Sequence, residues 1–197
     1  MNVNDNINME YESRVILTQE QYLLVKEKFV TSNPNYEEIT NVNYYFDTPD
    51  LYLTEHHAVL RLRKINSSNS ELTLKIDLGK GCLEINQHLT DKEELEFIKN
   101  CKFKNTNIRS KLIELGVDLN SLKLITELKT ERVEIQFDDY LLVIDKNYYR
   151  GKVDYNLEVE SDSENHAKER LISIISQFGI EYKKDYISKS KRAIYNL

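Results

Sequence analysis

In five separate stretches of this chain, polar or charged residues fall on every second position, and that period governs what the chain can fold into. Glu10, Glu12 and Arg14 alternate along the first stretch. Val59, Arg61 and Arg63 oppose Leu60 and Leu62, while Glu71, Thr73 and Lys75 oppose Leu72, Leu74 and Ile76. Thr130, Arg132, Glu134 and Gln136 oppose Val133, Ile135 and Phe137; Asn156, Glu158 and Glu160 oppose Tyr155, Leu157 and Val159. A period of two sends alternate side chains to opposite faces of a β-strand. Each stretch therefore has one apolar face and one face that cannot enter an apolar core.

Polar faces turned to solvent are the ordinary outcome for antiparallel strands. The sorting of charge argues for something else. One strand offers arginines and another glutamates, and same-face neighbours lie about 7 Å apart. At an effective dielectric near 20, two like charges at that distance repel by roughly 2 kcal/mol. Bulk water screens that repulsion; an enclosed site does not, and calls for a counter-ion. If the sheet closes, the charged faces line its interior and the apolar faces point outward under helices. Carboxylates then suit a hard divalent cation such as Mg²⁺ or Mn²⁺, and guanidinium and ammonium groups suit a polyanion.

The remaining signals fit that arrangement. Strands are predicted over residues 9–17, 40–47, 58–65, 71–77, 82–88, 124–137, 140–146 and 153–161, with a hairpin turning at Asp138–Asp139. Helices are predicted from Thr18 to Phe29, from Thr90 to about Asn100, over 105–115 and from Ser163 to Phe178. The first two open on a Thr followed three residues later by Gln21 or Glu93, and Gly116 and Gly179 stop the last two. The fold class expected is α+β: an eight-stranded antiparallel barrel with a charged interior, flanked by amphipathic helices. A chain of 197 residues with 40% hydrophobic content can bury one core, and five Gly and two Pro leave no linker. Residues 1–8 are expected to be a flexible start and 9–197 a single domain.

Composition narrows the functional classes. A net charge of −6 argues against general nucleic-acid binding, a triphosphorylated end excepted. Cys82 and Cys101 have neither disulfide-framework nor metal-ligand spacing. With no signal peptide and no long apolar run, the expectation is a cytoplasmic protein with no membrane partner. A membrane barrel, also polar inside, lacks the capped amphipathic helices seen here.

The motifs resemble the CYTH superfamily, the triphosphate tunnel metalloenzymes. An E-x-E-x-K signature appears as Glu10-Tyr11-Glu12-Ser13-Arg14, followed in the family's order by "YYFDTPDLYL" (44–53), "LRLRK" (60–64), "LTLK" (72–75) and "GCLEINQHL" (81–89). Then come "TERVEI" (130–135), "LLVIDKNYY" (141–149), "VDYNLEVES" (153–161) and "SKSKRAI" (188–194). The series spans nearly the whole chain and is most similar to the small single-domain bacterial branch.

The resemblance implies a tunnel in which Glu10, Glu12, Glu158, Glu160 and Asp145 hold metal. Arg61, Arg63, Lys75, Arg132, Lys189 and Arg192 would grip a triphosphate, with Glu10, Glu12 and Arg14 at the chemistry; Lys191 competes with Lys189. It implies a Mg²⁺- or Mn²⁺-dependent hydrolase of linear triphosphates acting on a small-molecule triphosphate or polyphosphate, with a homodimer left open. An adenylate cyclase of the class IV type and a non-catalytic triphosphate-binding module are the alternatives. Two positions depart from the family's pattern: Arg14 stands where Lys is usual, and Asn156 where this branch commonly has Glu. Arg cannot relay a proton near neutral pH, and Asn156 removes one charge from the acidic end.

Overall fold

The structure, a computed structural model, describes residues 6–67, 69–79, 81–102, 104, 106–183 and 187–197; the side chains of residues 6–8, 10 and 69 lie outside that description. The eight expected strands are present: β1 (Asn6–Leu17), β2 (Glu37–Asp47), β3 (Ala58–Ile65), β4 (Asn69–Asp77), β5 (Cys82–Leu89), β6 (Lys123–Gln136), β7 (Leu141–Tyr149) and β8 (Lys152–Ser161). All neighbours are antiparallel, in the order β1-β5-β4-β3-β2-β6-β7-β8, and β1 pairs with both β5 and β8, which closes the barrel. The β6–β7 turn falls at Asp138–Asp139, with the Phe137 N–H donating to the Tyr140 carbonyl at 2.9 Å. The first strand starts earlier than the expected residue 9: Asn6, Ile7 and Asn8 pair with Asn86, Ile85 and Glu84 of β5, since the alternation of β1 extends back beyond Met9. Residues 1–5 lie outside the described residues.

Six helices surround the barrel among the described residues: α1 (Gln19–Ser32), α2 (Tyr52–Glu55), α3 (Asp91–Asn100), α4 (Asn107–Glu114), α5 (Glu164–Ser176) and α6 (Lys189–Tyr195). Thr18 and Thr90 form reciprocal capping boxes with Gln21 and Glu93, satisfying N–H groups that the first helical turn leaves without partners. Gly116 (φ +82°), just past α4, takes the left-handed turn that a side chain resists. None of the described helices is long and apolar enough to cross a membrane.

The apolar core is outside the barrel wall. Leu142, Ile144, Leu157 and Val159 pack under α1 and α5 against Val25, Ala167 and Leu171. On the other side Leu60, Leu62, Leu72 and Leu74 pack against Phe97, Ile108 and Leu112 of α3 and α4. Fully burying one such side chain stabilises by about 1.5–3 kcal/mol, so the outward strand faces secure the wall and leave the inward faces to polar residues. A small third cluster lies at one end of the bore, where Tyr45, Leu128 and Tyr149, with Val59 beside them, meet Ala193 of α6.

Candidate active site

The inward faces enclose a cavity of about 630 Å³, whose lining includes Glu12, Arg14, Arg61, Arg63, Lys75, Arg132, Glu158, Glu160 and Lys189. The register explains the convergence. On β3, Arg61 and Arg63 face inward while Leu60 and Leu62 are fully buried outside. Arg63 lies opposite Asn43 of β2 and Glu71 of β4, and Arg14 lies opposite Glu158. Glu12 lies opposite Glu160, and Arg132 opposite Asp145.

Glu12, Glu158 and Glu160 gather at one wall, each offering an oxygen within 4.8 Å of the others. Three hard oxygen donors from separate carboxylates fit a divalent cation of the Mg²⁺ or Mn²⁺ type. Glu10 is on the same face of β1, but its side chain lies outside the described residues. Cations brace this wall. Arg14 donates to Glu12 at 3.1 Å and to Glu158 at 3.5 Å; Lys189 donates to Glu158 at 2.9 Å and also reaches Asp145. Burial alone would raise the Glu158 carboxyl, but Lys189, Arg14 and Arg132 outweigh it and hold the group well below the usual carboxylate range.

Asp145, expected as a metal ligand, is fully buried in the wall and outside the glutamate trio. Its two oxygens accept from Arg132 Nε and Nη2, each at 2.9 Å, and Lys189 joins them. Burial pushes Asp145 up, yet Arg132 and then Lys189 draw it below its ordinary value. Arg132 also touches Glu134 at 3.2 Å and Glu158 at 3.5 Å, and is thereby tied to the acidic side.

The opposite wall has a different balance. Arg63 Nε donates to Asn43 Oδ1 at 3.1 Å, and Arg61 Nε is buried with no hydrogen-bond partner. Neither guanidinium has a carboxylate in ion-pair range among the described residues. Burial first, then the nearby Arg61 and Arg132 charges, lower Arg63 to about 10. Lys75 differs from this pair, since it holds Glu84 at 3.1 Å.

The C-terminal helix separates two residues that the motif couples. Lys189 enters the cavity, as does Lys191. Arg192 is not among the lining residues; its guanidinium donates to Asp154 at 2.8 and 3.4 Å, to Asn156 Oδ1 at 3.5 Å and to the Ile187 carbonyl at 2.8 Å. Asn156 is wholly buried in that network, accepting from Asn147 Nδ2 at 2.7 Å. Sequence reasoning missed Asn41 and Asn43 and set Thr73 and Thr130 on the polar face without giving them a role; all four line the cavity between the charged groups. Their inward phase on β2, β4 and β6 is the signal that could have found them, since each lies an even number of residues from a recognised position or strand partner.

Comparison with known proteins agrees with this architecture. The CYTH domain matches residues 8–192. A Bacillus subtilis protein named "Putative triphosphatase YjbK" is 26% identical over 172 residues, covering 87% of each chain. A crystal structure from Bacillus halodurans, described as "a putative adenylate cyclase", superposes with a TM-score of 0.85 at 27% identity, covering 94% of this chain and 97% of that one. A Hippeastrum protein, described as a "putative adenylyl cyclase" that reveals a dominant triphosphatase activity, superposes with a TM-score of 0.81 at 20% identity over 95% and 96% of the two chains, a likeness of fold. With its closed eight-stranded bore and a match along almost its whole length, this chain belongs to the CYTH domain family.

Proposed function

We propose that this protein hydrolyses linear triphosphates with a divalent cation, Mg²⁺ or Mn²⁺, held by Glu12, Glu158 and Glu160; Glu10 joins the set on the strength of the sequence motif. The observation that carries this reading is the Arg61–Arg63 pair: two inward guanidiniums with no carboxylate in ion-pair range among the described residues, facing a cavity whose other wall is acidic. Half-buried cations clustered in this way attract an anion, and guanidinium forks match phosphate oxygens. The name carried by the Bacillus subtilis relative supports the same activity.

Arg61 and Arg63, with Lys75, bind the phosphate chain. Arg132 and Arg14, anchored on the acidic wall, neutralise charge that develops on the transferring phosphoryl group. The cation, when bound, draws electron density from phosphate oxygens and lowers the pKa of water. Glu158 stays ionised between its three cations, and the more exposed Glu12 and Glu160 orient the attacking water and take its proton.

The test is phosphate release from tripolyphosphate with Mg²⁺ or Mn²⁺. Arg63→Ala and Glu158→Gln should each lower the rate by about a hundredfold or more; rates equal to wild type in both would end the proposal. The description of the Bacillus halodurans structure favours a second reading, ring closure of ATP. Products of an ATP incubation decide between them: cyclic AMP with pyrophosphate, or ADP with phosphate. Tight triphosphate binding without turnover would make the chain a binding module.

A further inference from the structure

Lys189 occupies an unusual place. Its ammonium group comes from α6, outside the strand ladder, and donates to Glu158 Oε2 at 2.9 Å and to Asp145. Glu158 belongs to the trio that suits a divalent cation. A cation drawing on Glu158 Oε2 must therefore share that oxygen with Lys189 or displace it.

The bracing groups are not equally replaceable. Arg132 grips Asp145 with two prongs and also reaches Glu134. Its planar fork is fixed by those partners. Lys189 is a point charge on a flexible four-carbon stem. Its helix is held independently of that charge: Arg192 binds Asp154 and the Ile187 carbonyl, and Lys152 Nζ donates to the Asn196 carbonyl at the helix end. The backbone at residue 189 can thus stay put while the side chain swings. Lys189 also lines the cavity that Arg61 and Arg63 face.

We propose that Lys189 is a tethered counter-ion, neutralising the acidic wall when no divalent ion is there and giving up Glu158 to that ion when it binds. The displaced ammonium then turns to the phosphate chain. Metal binding thereby couples to completion of the anion site, and the wall never stands without compensating charge. The inference rests on the glutamate trio being the metal site, as proposed above.

Titration with Mn²⁺ alone, following free Mn²⁺ by electron paramagnetic resonance, tests the exchange without turnover. Lys189→Met should bind Mn²⁺ about tenfold to a hundredfold more tightly than wild type, the equivalent of one charge-assisted hydrogen bond no longer in competition. Lys75→Met is the control: it removes one positive charge from the same cavity but from a group paired with Glu84. Its affinity should change far less. Unchanged affinity in Lys189→Met, or equal tightening in Lys75→Met, would overturn the exchange while leaving the metal site intact. No Mn²⁺ bound by wild type or by Lys189→Met would instead sink the metal site and the exchange with it. Lys189→Gln, which retains a polar group, serves if the methionine variant fails to fold.

Discussion

Arg132 and Asp145 face each other across β6 and β7 and are joined by two parallel hydrogen bonds of 2.9 Å. Asp145 is wholly buried and Arg132 nearly so. Removing Asp145 takes from Arg132 and Lys189 the buried carboxylate they share, and leaves Glu134 and Glu158 to carry two cations. Asp145→Asn should therefore cost about 3 kcal/mol of stability, or about 6–12 °C in Tm. Chemical denaturation measures it, and a variant as stable as wild type would show that the pair is not structural.

Arg61 should behave in the opposite way. Its Nε is buried without a partner, and its charge is among the causes that lower Arg63. Arg61→Met removes that burden from the ligand-free protein, and Tm should rise by about 2–4 °C, the equivalent of about 1 kcal/mol. The same variant should lose affinity for tripolyphosphate. Calorimetry of both properties is the check; a fall in Tm would contradict the account of this wall.

Acid should weaken the fold through the carboxylates at 158 and 145. Both are held below their ordinary values of 4.5 and 3.8, so their contribution is fully present above those values and is lost as pH falls toward their folded-state values. Melting curves should shift downward increasingly below about pH 4.5, where the unfolded chain binds protons that the folded chain refuses. Glu158→Gln should melt lower near neutral pH but follow a flatter acid limb. Parallel curves for the two proteins would contradict the assignment.

Arg192 anchors α6 through Asp154, which also accepts from Tyr149 Oη and Asn147 Nδ2, both at 2.8 Å. Arg192→Ala and Asp154→Ala should each destabilise by about 1–3 kcal/mol. The double variant should be little worse than either single one, with a coupling of at least about 1 kcal/mol. If Arg192 held phosphate directly, as the motif implies, its variant would raise KM well beyond the effect of Asp154→Ala.

The strands were legible because their two faces differ so sharply in chemistry. Leu60 beside Arg61, or Leu157 beside Glu158, fixes both the secondary structure and the phase, and the four longer helices announced themselves through Thr or Ser caps and stopping glycines. Two helices were not read from the sequence, although Ser188 caps the second of them. α2 is a single turn that starts from a left-handed Leu51 with no side-chain cap, and α6 has seven residues, too few for a periodic stripe. The phase of β7 was also obscure, since Val143 lies on the same inward face as Asp145 and is as deeply buried as the outward Leu142 and Ile144. For the site, the sequence told which residues face inward but not which of them meet. That Asp145 binds Arg132 in the wall, or that Arg192 is taken up by Asp154, depends on the stagger of strands around the barrel and on where α6 docks.

The placement of the apolar core outside the barrel wall has a consequence for how such a protein can diversify. Leu60 is secured by Phe97, Ile108 and their neighbours whatever the adjacent Arg61 is doing in the lumen. Mutational drift in the bore can therefore recast the ligand preference while the scaffold around it keeps its shape.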